Sequence, residues 1–133
     1  MSTLTVNVDG GARGNPGPAA IGVVVRDEDG IVLEELGEKI GRATNNVAEY
    51  RALLRGIELA AAHGATELEL VGDSELVVRQ IEGRYKVKDA MMRELHAEAK
   101  RELAGFERWR IRHVRRESNA DADRLVNAAL DGA

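Results

Sequence analysis

The sequence predicts an α/β protein: a five-stranded mixed sheet, three antiparallel strands and then parallel ones, with helices on both faces. Three observations lead there. Residues 3–9 alternate, with Leu4, Val6 and Val8 on one side and Thr5, Asn7 and Asp9 on the other, the period of a strand. Two further extended patterns follow with only turns between them. Helical and extended patterns then interchange, an order that sets parallel strands joined by helices beside an antiparallel meander.

Each element has its own reason. The run DGGARGNPGP breaks the first strand after Asp9. An apolar stretch over residues 20–25 ends in the turn signal DEDG, and IVLEELGEKI is its hairpin partner. Thr44, Asn45 and Asn46 supply capping side chains for a helix over residues 47–63, whose Leu53, Leu54, Ile57 and Ala61 recur at helical spacing before Gly64 stops it. ELELVGD reads as a short strand and SELVVRQIEG as a second helix. A third helix covers residues 90–104, with Met91, Leu95, Ala99 and Leu103 on its apolar side. Residues 107–114 alternate Trp109 and Ile111 with Arg110 and Arg112, a last strand, and Asn119 opens a last helix. Neither a repeat nor a linker interrupts this order, so one domain over residues 1–133 is expected.

With 133 residues and 44% hydrophobic content, the chain can bury a core without covalent staples. It has no cysteine, which excludes disulfides and thiolate metal sites and leaves oxygen or imidazole ligands, the donors of hard cations such as Mg²⁺ or Mn²⁺. The start MSTLTVNVDG carries no signal-peptide pattern and no apolar run has the length of a membrane span, so a cytoplasmic protein without membrane contact is expected. The net charge of −4 weighs mildly against nucleic acid as partner. Its distribution is uneven, however. Arg108, Arg110, Arg112, Arg115 and Arg116 form one basic cluster, and Arg79, Arg84, Lys86, Lys88 and Arg93 another.

Four acids carry the chemistry. Asp9 ends the first strand and Asp73 ends the strand after the long helix. That helix is a crossover, which sets consecutive parallel strands side by side, so both carboxylates project from one sheet edge. They repel there unless a cation lies between them. Glu49, in the first turns of the crossover helix, is lowered over the same edge, and Asp123 lies in the first turns of the last helix.

The segments DGGARGNPG, TNNVAEYRALLRGIELA, VGDSELVVRQI and ESNADADRL, in this order, resemble the characteristic motifs of type 1 ribonuclease H across nearly the whole chain. The resemblance implies a ribonuclease H-like fold and a hydrolase that cuts the RNA strand of RNA/DNA hybrids to 5′-phosphate and 3′-hydroxyl ends. It implies Asp9, Glu49, Asp73 and Asp123 as catalytic and metal-binding acids. Two Mg²⁺ ions about 4 Å apart, with Mn²⁺ as a substitute, would flank the scissile phosphate, Asp9 bridging them. Gly11, Ala12, Arg13 and Asn15 match the loop that senses ribose 2′-hydroxyls. Thr44, Asn45 and Asn46 match the binders of the DNA strand, and also read as plain helix caps. Another nuclease on the same fold, or a nucleic-acid-binding module without activity, are the competing readings. The first lacks the TNN and GNPG segments, and the second usually lacks one of the acids.

The chain departs from the family pattern in places. The basic, Trp-containing protrusion after the second helix is missing, and GRYKVKD joins the helices directly, leaving Lys86 and Lys88 as a reduced patch. VRRES replaces the longer loop that bears a His in the family. His113 therefore reads as a strand residue, Arg115 or Arg116 as the flexible cation, and Arg116 and Asn119 complete the substrate-binding candidates. This compact pattern resembles the bacterial and archaeal branch, in some of which the domain is fused to a phosphatase-like domain, and the closing LDGA suits either a true terminus or the start of a linker to such a carboxyl-terminal domain. Asp121 and Asp123 differ by two positions, roughly 200° apart on a helix. With Asn119 as cap, Asp123 faces the sheet edge and Asp121 is expected to point to solvent.

Overall fold

In the computed structural model, which describes residues 2–132, the sheet has the order β3-β2-β1-β4-β5. Met1 and Ala133, the ends of the expected domain, lie outside the described residues. The strands are β1 (Thr3–Ala12), β2 (Gly17–Arg26), β3 (Val32–Ala43), β4 (Glu67–Gly72) and β5 (Arg108–His113). The helices are α1 (Asn45–Ala62), α2 (Glu75–Ile81), α3 (Ala90–Leu103) and α4 (Ala120–Asp131). β1 pairs antiparallel with β2 and parallel with β4, β3 extends the antiparallel side, and β5 extends the parallel side. The mixed sheet expected from the order of the elements is the one observed.

Leu4, Val6 and Val8 are buried against α1, as their alternation requires. Thr44 caps α1, its hydroxyl accepting from the Val47 amide at 3.2 Å, and sets the phase that buries Tyr50, Leu53 and Ile57. Each large side chain buried here contributes about 1.5–3 kcal/mol before entropy is counted. α1 lies so close to the sheet that a Cβ on Gly10 would fall 2.2 Å from the Ala48 carbonyl oxygen. The opposite face carries α4, which sits on two glycines: a Cβ on Gly22 would lie 2.2 Å from the Ala122 carbonyl oxygen, and one on Gly37 would lie 2.8 Å from that of Leu125.

Two of the boundaries that differ from the expectation bear on the site. β1 does not break after Asp9 but runs on to Ala12, because β2 keeps pairing with it through Gly10↔Ile21, Gly11↔Ala20 and Ala12↔Ala19. The glycines therefore serve strand packing, and only residues 13–16 form the turn. Nor does Asn119 cap the last helix with its side chain; a 3₁₀ turn, Arg116–Asn119, precedes α4, and the Asn119 amide bonds to β1 instead. The turn absorbs the change of direction that the short VRRES segment leaves room for.

The glycine seat under α4 predicts a sharp stability effect. Gly22→Ala should lose about 1–3 kcal/mol by overpacking, read from urea denaturation. Gly11→Ala, whose Cβ would be in ordinary contact at 3.6 Å from Val126, should change stability by no more than about 0.5 kcal/mol.

Candidate active site

The parallel pairing of β1 and β4 ends at Val8↔Gly72, so Asp9 and Asp73 are the next residues on adjacent strands. Glu49 comes to them from α1, where the Gly10 amide donates to its Oε1 at 2.6 Å. One carboxylate oxygen from each of Asp9, Glu49 and Asp73 lies within 4.8 Å of the others. Asp123 stands outside this trio but next to Asp9, adding its charge to that carboxyl. Arg116 Nη2 reaches Asp123 Oδ1 at 3.3 Å, and Asn127, one helical turn on, donates to the Asp123 carbonyl at 3.1 Å.

The electrostatics are those of crowded acids. Burial above all, then the charges of Asp73 and Asp123, push the Asp9 carboxyl from 3.8 to about 7. Burial and Asp9 hold Glu49 well above its ordinary range, against the Gly10 amide, which favours the charged form. The hydrogen bond between Glu49 and Asp9 acts in opposite directions on the two, raising Glu49 and lowering Asp9. The donor set fits a hard divalent cation, since it consists of carboxylate oxygens on a buried edge short of positive charge.

The acids open on a cleft of about 400 Å³. Gly11, Ala12, Arg13, Asn45, Asn46 and Arg116 line it with them, as do Ser74 and Asn127. Asn15 and Thr44 line a neighbouring depression of about 610 Å³, which shares Asn46 with the first and is bounded by Asp89 and Met91. Asn15 and Asn45 are also structural: Asn15 Oδ1 accepts from the Asn45 amide at 3.0 Å, and Asn45 Oδ1 accepts from the Ala12 amide at 2.8 Å. Lys86 and Lys88 are exposed on the α2–α3 connector and line neither depression. His113 ends β5, as expected, and Arg116 is the cation that reaches the acids.

Two placements depart from the sequence reading. Asn119, counted among the substrate-binding candidates, is 1% exposed and lines neither depression, because both ends of its amide are bonded inside the protein. Asp121 does not simply face water but pairs with Arg26 at 2.6 Å. Sequence reasoning missed Arg26, Asn7 and Asn127. Only Asn127 had a local signal, its spacing of four from Asp123.

Comparison with known proteins follows the same lines. A family profile described as "Reverse transcriptase-like" matches residues 7–129. Ribonuclease HI of Halobacterium salinarum is 49% identical over 125 residues, 94% of this chain and 63% of that protein. The Bifunctional protein Rv2228c of Mycobacterium tuberculosis is 47% identical over 98% of this chain and 36% of its own length. Its N-terminal RNase H domain superposes with a TM-score of 0.95 at 46% identity, covering 98% of this chain and 95% of that one. LC11-RNase H1, solved in complex with an RNA/DNA hybrid, superposes with a TM-score of 0.92 at 46% identity, covering 96% of each chain. The chain thus spans under two thirds of the length of the first two relatives. It belongs to the type 1 ribonuclease H family.

The raised carboxyls set the pH dependence of the metal-free protein. An acid titrating near 7 when folded and near 3.8 when unfolded holds an extra proton in the folded state between those values. Stability is then lost as pH rises through that window, with the full cost above about 7. In EDTA the protein should be less stable at about pH 8 than at about pH 5, by on the order of a few kcal/mol. Asp9→Asn should flatten the difference in thermal melts.

Proposed function

We propose that this chain is an endonuclease hydrolysing the RNA strand of RNA/DNA hybrids, leaving 5′-phosphate and 3′-hydroxyl ends, in the cytoplasm. The observation that carries this reading is the convergence of Asp9, Glu49 and Asp73 within 4.8 Å, with Asp123 beside Asp9, on the floor of an open cleft. These four acids would hold two divalent cations, Mg²⁺ with Mn²⁺ as substitute. When bound, the ions would activate the attacking water and stabilise the leaving oxygen.

The chain's own residues orient and select. Asp9, between Glu49 and Asp123, would hold the ions together with them. Glu49 is held by the Gly10 amide rather than left to rotate. Gly11 and Ala12 bring backbone to the cleft wall, where a ribose 2′-hydroxyl can be read at short range. Asn46 lines both depressions and would contact the hybrid there. The exposed guanidinium of Arg116 is free to exchange Asp123 for a phosphate oxygen. The hybrid bound by LC11-RNase H1 supports the substrate, and the RNase H domain at the N-terminus of Rv2228c supports a domain fused after residue 133.

Labelled hybrid should be cut in Mg²⁺ or Mn²⁺, RNA duplex, DNA duplex and single-stranded RNA should not, and EDTA should abolish cleavage. Undiminished cleavage in EDTA would overturn the reading. Asp123→Asn should lower turnover by about two orders of magnitude or more.

With few phosphate contacts, binding should fall only gently with salt. Lys86→Glu with Lys88→Glu should raise KM more than it lowers kcat. A loss confined to kcat would place those lysines at the chemistry instead.

A further inference from the structure

Beneath α4 runs a chain of polar contacts that the proposed reaction does not use. Arg26, the last residue of β2, donates through Nη2 to Asp121 Oδ2 at 2.6 Å and through Nη1 to Asn7 Oδ1 at 3.0 Å. Asn7 Nδ2 donates to Asn119 Oδ1 at 3.0 Å, and Asn119 Nδ2 donates to the Val8 carbonyl at 2.9 Å. Both amides use a donor and an acceptor.

We infer that Arg26, Asn7 and Asp121 are positioning residues that set the register of α4 on β1 and so the placement of Asp123 against Asp9, an inference resting on the metal-binding role proposed above. The glycine seats at Gly22 and Gly37 and the Arg124–Glu35 ion pair fix where α4 lies on β2 and β3, but none of them reaches β1, which carries Asp9. Against β1 the helix sets Val126 over Gly11, an apolar contact that is not directional. A slip of one residue along a helix turns each side chain by about 100°, which would swing Asp123 off the acid cluster. Hydrogen bonds resist such a slip because they depend on angle as well as distance.

The endpoints of the network favour this role over plain stabilisation. At one end it holds the Val8 carbonyl, the residue before Asp9. Asn119, which makes that bond, lies one helical turn before Asp123, and the other end of the network is Asp121 in the first turn of α4. Both acids are therefore referred to the same amide. The half-exposed ion pair of Arg26 and Asp121 contributes little to overall stability, whereas its direction fixes which way the first turn of α4 faces.

The test compares wild type, Arg26→Met and Arg26→Lys in the full chain. Mn²⁺ binding is titrated by electron paramagnetic resonance without substrate, amide exchange is followed over residues 122–127 without metal, and kcat and KM are measured on hybrid at saturating Mg²⁺. Arg26→Met should weaken Mn²⁺ binding and lower kcat, each by about tenfold. KM should stay within about twofold, since the rim that binds the hybrid is untouched. The α4 amides should exchange faster, and Arg26→Lys should recover most of each loss. Normal Mn²⁺ binding and kcat in Arg26→Met, with only a lower melting temperature, would overturn the inference. If Arg26→Met does not fold, Asp121→Ala carries the test, with weaker Mn²⁺ binding expected and unchanged binding overturning it. A wild type that binds Mn²⁺ but leaves hybrid uncut would sink the proposed activity alone, because the binding and exchange comparisons still decide the network.

Discussion

Crowding Asp9, Glu49 and Asp73 onto one buried edge is electrostatically unfavourable, and the rest of the molecule is arranged to hold them there. The means are backbone placements made by apolar packing remote from the acids. β1 lies between an antiparallel and a parallel neighbour, which fixes Asp9 beside Asp73. α1 is pressed against β1 until only hydrogen fits at Gly10, which brings Glu49 within reach of that glycine's amide. The core energy of β1, β2, β4 and α1, summed over side chains such as Val6, Val23, Leu53 and Leu70, far exceeds one carboxylate repulsion and decides the outcome.

Charge elsewhere is largely balanced within the fold. Of the two basic clusters in the sequence, Arg79 and Arg84 pair with Glu82, and Arg110 and Arg112 share Glu69 on the open face of β4 and β5. Arg93 turns its guanidinium to the Val87 and Lys88 carbonyls and stiffens the α2–α3 connector. Lys86 and Lys88 remain exposed, and Arg13 and Arg116 stand on the cleft wall. A net charge of −4 is thus compatible with an anionic partner, because Lys86 and Lys88 stay exposed and the cleft cations Arg13 and Arg116 are held only in solvent-exposed pairs with Asp131 and Asp123.

What the sequence made legible, and what it did not, divides by range. The strands, the helices and the meeting of Asp9 with Asp73 follow from periodicity and the crossover rule, both local or topological. Thr44 as the α1 cap is equally local. The continuation of β1 past Asp9 was hidden because glycines that read as a loop are tolerated where a partner strand and a helix backbone enclose them. Asp121 and Asn119 misled for a different reason. Their partners, Arg26 at 95 positions' remove and Val8 at 111, leave no trace in local pattern. Polar networks between distant segments are specified by geometry that only the folded chain has.

The order of the elements along the chain has a temporal consequence. Asp9, Glu49 and Asp73 are contributed by the first 73 residues, whereas Asp123 arrives on the last helix. A ribosome making this protein would release the segments that carry these three acids before α4, the helix that covers the seats at Gly22 and Gly37. Only when α4 leaves the exit tunnel can it cover those glycines and add the fourth acid. A chain cut short before α4 would lack Asp123 and the helix that covers those glycines.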